Sequence, residues 1–223
     1  MRVLLFGATG MVGQGVLREC LRASDVEFIQ TVGRMASGQR APKLREVIQQ
    51  DLLDLGGIES ELNTFDACLF CLGVSSAGMT EPQYSRLTYN LTLGIAQTLA
   101  RLNPQMTFIY ISGAGTDSTE RGRIMWSRVK GKTENALQRL PFRAVYLFRP
   151  GIIQPVHGAR SKTASYRILY TLASPLFPVL RTLFPKHILT TETLGQAMLN
   201  VLRHGADKTV LEAADINAFS AVR

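Results

Sequence analysis

The sequence has 223 residues, and its 25 Lys and Arg against 17 Asp and Glu give a formal net charge of +8 at pH 7. The length suits one ordinary domain, and a composition of 46% hydrophobic and 19% charged residues excludes disordered and fibrous proteins. The apolar run at residues 3–6 is too short for a secretory signal, and no run of about 18 apolar residues predicts a membrane span. Since three cysteines make no disulfide framework, we expect a reducing, cytoplasmic location.

The positive charge lies in one region of the chain. Residues 135–191 contain no Asp or Glu and eight cations, whereas the remainder has 17 basic and 17 acidic residues and is neutral. This distribution favours an anionic partner near that region, such as an anionic small-molecule substrate. No nucleic-acid-binding motif accompanies the charge, so we expect no nucleic-acid partner. The eight cations are Arg139, Arg143, Arg149, Arg160, Lys162, Arg167, Arg181 and Lys186.

Short apolar runs alternate with stretches of helical periodicity along residues 1–155. The runs are typical of strands buried on both faces, and residues 12–21, a stretch beginning at Pro82, and residues 129–140 predict helices. The alternation predicts right-handed βαβ units, and hence an α/β fold with a doubly wound parallel sheet. The predicted strands are residues 3–6, 26–32, 46–50, 67–72, 106–111 and 144–148, and the second helix should present Leu87, Leu91, Ile95, Leu99 and Leu102 on one face.

We expect residues 156–223 to form a small helical cap, a substrate region packed on the same domain. Thr190 and Thr191 precede apolar residues at helical spacing and are typical of a helix N-cap, and residues 208–212 predict a last edge strand. Residues 160–187 combine basic with large apolar side chains. That mixture favours either a membrane-surface or protein contact, or a cap core with solvated cations.

Glycines three residues apart follow the first predicted strand and begin the first helix. A diphosphate binds the main-chain N–H groups at a helix N-terminus, where a Cβ would block its approach. The placement between a strand and a helix predicts a Rossmann-type nucleotide site. The expected cofactor contacts are Gly7, Thr9, Gly10, Met11, Val12 and Gly13.

An arginine stands at the end of the second predicted strand, where an acidic residue usually binds a free ribose 2′-hydroxyl. This residue is Arg34, whereas Glu27 lies at the other end of the strand. A guanidinium suits a 2′-phosphate through charge-assisted hydrogen bonds. The pattern therefore favours NADP(H) over NAD(H), with Arg40 or Lys43 assisting, against the alternative of a solvated loop arginine.

The Gly-x-x-Gly-x-x-Gly spacing resembles that of short-chain dehydrogenases/reductases, in particular the extended and atypical branch of NAD(P)-dependent epimerases and dehydratases. The likeness covers roughly residues 1–155 and includes the Tyr-Ile-Ser-Gly end of the fifth strand and the Lys-containing start of the following helix. It implies cofactor contacts at Asp51, Leu52, Leu72, Gly73, Val74, Lys130, Arg149, Pro150 and Gly151, and a catalytic role for Ser112 together with Lys130.

One departure from the family concerns the catalytic tyrosine, which lies four residues before the lysine. This chain has Trp126 at that position. The family tyrosine exchanges a proton with the substrate oxygen, but an indole N–H has no accessible conjugate base and cannot relay protons. Either another acid replaces the tyrosine, or the chain binds NADP(H) without this chemistry. The candidate acids are Tyr84, Tyr89, Tyr110, Tyr166, Tyr170, Asp117 and Glu120.

Two further motifs predict no chemistry. Cys68 and Cys71 form a C-x-x-C, but they fall in a predicted strand, where positions three apart point to opposite faces, so we expect buried thiols. The three histidines lack metal-ligand spacing, so no metal site is predicted.

Two functions stay open at this point, and the sequence does not indicate an oligomeric state. The first is an NADP(H)-dependent oxidoreductase or epimerase-like enzyme that acts on a small carbonyl or alcohol. The second is a catalytically silent NADP(H)-binding regulatory or interaction protein.

Overall fold

The structure is a computed structural model that describes residues 1–160 and 188–222. Its centre is a parallel sheet, and its strand order β3-β2-β1-β4-β5-β6-β9 reverses between β1 and β4. In doubly wound sheets such a reversal opens a crevice at the carboxyl ends of the strands, where ligands bind. The strands are β1 (Arg2–Phe6), β2 (Phe28–Gly33), β3 (Leu44–Ile48), β4 (Ala67–Phe70), β5 (Thr107–Ile111), β6 (Ala144–Arg149), β7 (Ile152–Gln154), β8 (Ile188–Thr190) and β9 (Val210–Glu212), of which β7 and β8 pair in a separate parallel ribbon.

Helices cover both faces of the sheet because its strands are apolar on both sides. In β1, Val3 and Leu5 join one buried cluster, and Leu4 and Phe6 join the other, with none of the four exposed to solvent. The first cluster packs against α1, α5 and α6, and the second against α3 and α4. The helices are α1 (Met11–Arg22), α2 (Glu81–Ser85), α3 (Leu91–Leu102), α4 (Met125–Leu137), α5 (Thr191–His204) and α6 (Ala213–Ser220).

These elements confirm the doubly wound parallel sheet that the sequence predicts. Each of the six predicted strands forms, with ends within two residues of the predicted ones. The strand expected at residues 208–212 is confirmed as β9, which pairs with β6 at the edge of the sheet. The N-cap is also confirmed, since the Thr190 hydroxyl accepts a hydrogen bond from the main-chain N–H of Thr193 at 2.9 Å.

The expected apolar face of the second helix is only partly correct. A π-helical segment, Arg86–Asn90, separates α2 from α3. Its wider turn changes the helical phase, so that Leu87 is 39% exposed while the next residue, Thr88, is buried. Placing Leu87 on the buried face is therefore wrong, whereas Ile95 and Leu99 are in the core.

The described part of the C-terminal region packs closely on the sheet domain. α5 crosses α1 at Gly15, where a Cβ would lie 2.5 Å from the Cβ of Thr191. Only a glycine allows the two helices to approach this closely, and Leu194 and Met198 of α5 then join the core. The boundary at residue 155 stays a prediction. Residues 161–187, with the expected membrane-surface or protein contact, lie outside the described residues, and so do Tyr166 and Tyr170.

Candidate functional site

The glycine-rich turn between β1 and α1 lies at the crevice of the sheet. A Cβ on Gly7, which has a φ of +85°, would lie 2.6 Å from the carbonyl carbon of Cys71, and a Cβ on Gly13 would lie 2.7 Å from the carbonyl carbon of Gly7. A Cβ on Gly10 would meet only the Gly7 oxygen, at 3.4 Å. The protein's own packing thus requires the first and third glycines, whereas Gly10 leaves space at the start of α1 that a ligand can occupy.

A cleft of about 460 Å³ adjoins this turn. It brings together five of the predicted cofactor contacts that are far apart in the sequence, namely Gly7, Thr9, Arg34, Leu52 and Leu72. This volume is within the range of small-molecule and cofactor sites. The lining places an arginine at the end of β2 and the apolar side chains of Leu52 and Leu72 in the same cleft.

Arg34 is exposed at the cleft and makes no ion pair with any described residue. The carboxylate of Glu46 on β3 is engaged elsewhere, since it accepts a hydrogen bond of 2.6 Å from the main-chain N–H of Ser37. Lys43 is also engaged, because its ammonium donates to the carbonyls of Ala23 and Val26 at 2.6 and 2.9 Å. Of the two residues expected to assist Arg34, Arg40 is exposed, whereas the ammonium of Lys43 is bound to main-chain carbonyls.

Several other predicted cofactor residues are not among those that line the cleft. Asp51 is exposed, and its carboxylate accepts from the main-chain N–H of Leu53 at 2.9 Å. Gly73 follows Leu72 with open space where a Cβ would project, and Val74 is exposed beside it. The carbonyl of Pro150 accepts from Ala114 at 2.9 Å, which holds the Pro150–Gly151 segment against the loop after β5.

Ser112 and Lys130 meet at the carboxyl end of β5. The buried Ser112 hydroxyl donates to the carbonyl of Phe148 at 3.2 Å, and the ammonium of Lys130 donates to the main-chain carbonyl of Ser112. Burial lowers the pKa of Lys130 to about 8, because the charged form loses hydration, although Glu134 acts in the opposite direction. Trp126 is half-buried on the same helix, and its ring lies against Gly115.

α4 is held tightly against the loop that follows Ser112. A Cβ on Gly131 would lie 2.5 Å from the carbonyl carbon of Asp117, so the helix and the loop touch through their main chains. The main-chain N–H of Asp117 donates to the carbonyl of Ser127 at 3.1 Å, and the Ser127 hydroxyl donates to the carbonyl of Gly115. This packing fixes the position of Lys130 relative to Ser112.

Arg149 is held by carboxylates of the chain itself. Its Nε donates to Glu134 at 3.0 Å, its Nη2 also contacts Glu134, and its Nη1 lies 3.3 Å from Glu212. Glu134 has a side chain only 1% exposed, and these hydrogen bonds raise the pKa of Arg149. The sequence reasoning missed Glu134, although its position one helical turn after Lys130 could have indicated a contact with the site.

The two cysteines of the C-x-x-C lie on opposite faces of the sheet, as predicted. Cys68 belongs to the cluster with Leu4, and Cys71 packs against the cluster with Val3. Burial raises the pKa of both thiols. Within residues 1–160 and 188–222, no three His, Cys, Asp or Glu residues are grouped as metal ligands would be.

Comparison with known sequences relates the chain to a group of fungal proteins. It is 26% identical over 152 residues to protein fmp52-2, mitochondrial, of Aspergillus oryzae, and 30% identical over 158 residues to protein fmp52, mitochondrial, of Emericella nidulans. These alignments cover 67% and 68% of this chain, and in both cases 66% of the relative, so the chain spans slightly less than two thirds of either protein. No protein-family model matches the sequence.

The names of these relatives contradict the cytoplasmic location expected from the sequence. They are named as mitochondrial proteins, so that expectation is wrong. The expectation depended on unpaired cysteines, which argue against an oxidising compartment but do not separate the cytoplasm from the mitochondrion. Among the described helices, none is both long and apolar enough to cross a bilayer.

Solved structures reproduce the fold over nearly the whole chain. A UDP-N-acetylglucosamine 4-epimerase from Methanobrevibacter ruminantium, solved with UDP-N-acetylmuramic acid, has a TM-score of 0.69 at 11% identity, covering 95% of this chain and 75% of that one. A short-chain dehydrogenase/reductase from Saccharomyces cerevisiae has a TM-score of 0.63 at 13% identity, covering 97% and 98%. The chain therefore has the fold of NAD-dependent epimerases and short-chain dehydrogenases/reductases, as the resemblance of its motifs predicted.

Proposed function

We propose that the chain is an NADP(H)-dependent oxidoreductase of the atypical short-chain type, which acts on a small carbonyl or alcohol. The observation that carries this proposal is the cleft at the start of α1. There, Gly7 and Thr9 of the glycine-rich turn line the same cleft as Arg34, an arginine that makes no ion pair with a described carboxylate. The relatives with known structures include proteins solved with NAD, which supports a nicotinamide dinucleotide as the cofactor class.

The residues present fit such a cofactor. The first turn of α1 would hold the diphosphate through main-chain N–H groups, and the apolar side chains of Leu52 and Leu72 would border the adenine and ribose. Lys130 would bind the nicotinamide ribose, and Ser112 would polarise the substrate oxygen. A bound nicotinamide supplies or accepts the hydride, while the protein orients the substrate and excludes water.

Arg34 supports the choice of NADP(H) over NAD(H). It is the charged side chain that lines the cleft at the end of β2, and its guanidinium can donate paired hydrogen bonds to a 2′-phosphate. Among the described residues that line the cleft, none has an acidic side chain of the kind that would hydrogen-bond a free 2′-hydroxyl.

The test is a titration of the protein with NADPH and with NADH, followed by nucleotide fluorescence and thermal unfolding. At 100 times its Kd, NADPH should stabilise the protein by about 2.7 kcal/mol. A charge-assisted hydrogen bond contributes about 1.5–3 kcal/mol, so Arg34→Ala should weaken NADPH binding by about 10- to 100-fold and change NADH binding little. Arg139→Ala removes an exposed arginine that does not line the cleft and is the matched control. An equal loss for both nucleotides in Arg34→Ala would refute the 2′-phosphate assignment.

A cofactor-binding protein without catalysis is the second candidate, and Trp126 is the observation that favours it. The indole stands where the family places its proton-exchanging tyrosine. In that case the chain would bind NADPH and act through a partner or membrane surface at residues 160–187. Oxidation of NADPH by the wild-type protein in the presence of a carbonyl compound would exclude this alternative.

A further inference from the structure

We infer that Lys130 itself is the proton donor to the substrate oxygen, and thus replaces the missing tyrosine. The inference rests on the proposed function. In carbonyl reduction, the carbonyl carbon accepts a hydride from bound NADPH, and the electron pair of the C=O π bond moves to oxygen. An N–H bond of the Lys130 ammonium breaks as the new O–H bond forms. The resulting neutral amine takes a proton back from water, and the nicotinamide leaves oxidised.

The position of the ammonium supports this role. Lys130 Nζ donates to the main-chain carbonyl of Ser112, the residue that follows β5 at the carboxyl end of the sheet. The Lys130 ammonium also lies 6.0 Å from the centre of the Tyr110 ring, so one side of it faces that ring. Because α4 touches the loop through Gly131, the ammonium is held in place rather than left on a free side chain.

The environment of Lys130 lowers the pKa of its ammonium. Burial lowers its pKa to about 8, near the pH at which a general acid is most effective. Glu134, the carboxylate one turn away, would oppose this shift, but Arg149 binds both of its oxygens. Among the described residues, Lys130 makes no ion pair.

The other charged and titratable groups around α4 are occupied. They comprise the buried phenols of Tyr84 and Tyr110, whose pKa values burial raises, the Arg128–Glu81 ion pair at 2.6 Å, and Lys132 over the Tyr89 ring at 4.5 Å. None of these groups supplies Lys130 with a counter-ion that would restore an ordinary lysine pKa.

Four of the alternative acids within the described residues are poorly placed, whereas the fifth, Tyr89, is half-buried with its ring under the Lys132 ammonium at 4.5 Å. Tyr84 and Tyr110 are 2% and 1% exposed, so their hydroxyls do not reach a substrate. The carboxylate of Asp117 accepts from three main-chain N–H groups and the Thr119 hydroxyl, and these bonds lower its pKa below the ordinary value. A carboxyl with a lowered pKa is ionised at neutral pH and has no proton to donate. Glu120 is held by Asn135 at 2.8 Å.

The first experiment measures the titration of Lys130 without cofactor or substrate. Trace acetylation with acetic anhydride, followed by mass spectrometry from pH 6 to 11, reports the fraction of each lysine that is neutral. The reactivity of Lys130 should reach half its maximum near pH 8. A midpoint at the ordinary lysine value of 10.5 would overturn the inference.

The second experiment uses Lys130→Arg, which keeps a cation but cannot titrate in the working range. Because Lys130 would also bind the nicotinamide ribose, the rates are compared at saturating NADPH, where reduction of benzaldehyde and phenylglyoxal should fall by about 100-fold or more. Lys132→Arg is the matched control and should retain the wild-type rate. The wild-type rate should fall about tenfold per pH unit above the pKa of the lysine.

The outcomes separate this inference from the proposed function. Wild-type rates in Lys130→Arg, or a wild-type protein that binds NADPH but reduces neither probe, would overturn the role of Lys130 and leave the cofactor site intact. A wild-type protein that binds neither nucleotide would refute the proposed function, and the lysine's role with it, whatever the acetylation profile.

Discussion

At the scale of single residues, the ion pair between Glu134 and Arg149 is largely shielded from solvent. The side chains of Glu134 and Arg149 are 1% and 12% exposed, and the arginine also donates to the Ser118 hydroxyl at 2.6 Å. Removing one member of such a pair leaves the other charge buried without its partner, which costs more than the pair itself contributes. The pair therefore acts mainly as a constraint on α4 and β6.

We expect Glu134→Gln to lower the free energy of unfolding by about 3 kcal/mol, because Arg149 loses its buried counter-charge. Glu59→Gln is the control, since its partner Arg101 is 60% exposed, and it should cost about 0.5 kcal/mol. Urea unfolding measures both values. The double variant Glu134→Leu, Arg149→Met should recover most of the loss. A Glu134→Gln variant as stable as Glu59→Gln would contradict the importance of the buried pair.

Residue identities predicted the lining of the cleft at α1 better than they predicted the ion pairs of Arg149. Gly7 and Arg34 were expected from their positions after strands, and Leu72 from the family resemblance, and all three line one cleft. The partner of Arg149 was not expected, because Glu134 and Glu212 reach it from a helix and a strand that only the folded chain brings together. A charge count along the sequence does not reveal that a cation in an acid-free stretch is neutralised by carboxylates outside it.

At the scale of helices and strands, close contacts through glycine set how elements pack. Gly15 of α1 touches α5, whereas Gly94 of α3 is exposed, and a Cβ there would meet nothing within 4 Å. Both residues are interior to their helices, so they differ in packing and not in helical position.

The substitution Gly15→Ala should therefore destabilise the protein, by about 1–3 kcal/mol, because the added methyl group overlaps Thr191 and separates α1 from α5. Gly94→Ala, the matched variant, should instead stabilise it by about 0.5–1 kcal/mol through helix propensity alone. Thermal and urea unfolding give the sign of each change. Stabilisation by both substitutions would show that the two helices can move apart without cost.

The π-helical segment shows where periodicity fails as a predictor of elements. The sequence places Leu87 in phase with Ile95 and Leu99, as a continuous α-helix would. One wider turn between α2 and α3 changes the phase, and no residue type in Arg86–Asn90 specifies a π-turn over an α-turn. Strand positions were predicted well because an apolar run buried on both faces needs no phase.

At the scale of the whole molecule, the half-buried Lys130 links stability to pH. The pKa of Lys130 is about 8 in the folded state and close to the ordinary 10.5 in the unfolded state. Between these values the unfolded chain binds more protons than the folded one, so this residue's contribution makes unfolding less favourable as the pH rises.

The difference between wild type and Lys130→Met isolates that contribution. At pH 7 the wild type keeps a buried charge, so Lys130→Met should be the more stable protein. From pH 8 to pH 10 this advantage should shrink as the wild-type lysine becomes neutral in the folded state. Urea unfolding of both proteins in parallel measures it. A constant difference across this range would show that Lys130 has an ordinary pKa in the folded state.

The packing of α5 on α1 determines when the core can close during synthesis on the ribosome. The sheet face that contains Ile109 and Phe148 is covered by Leu194 and Met198, and β9 pairs with β6 only when the last residues are present. A nascent chain that has not yet reached residue 188 contains the glycine-rich turn and the lysine but leaves that apolar face open to water. Completion of the core therefore waits for the synthesis of residues 188–216, and a chaperone that binds apolar strands would find its target on this face.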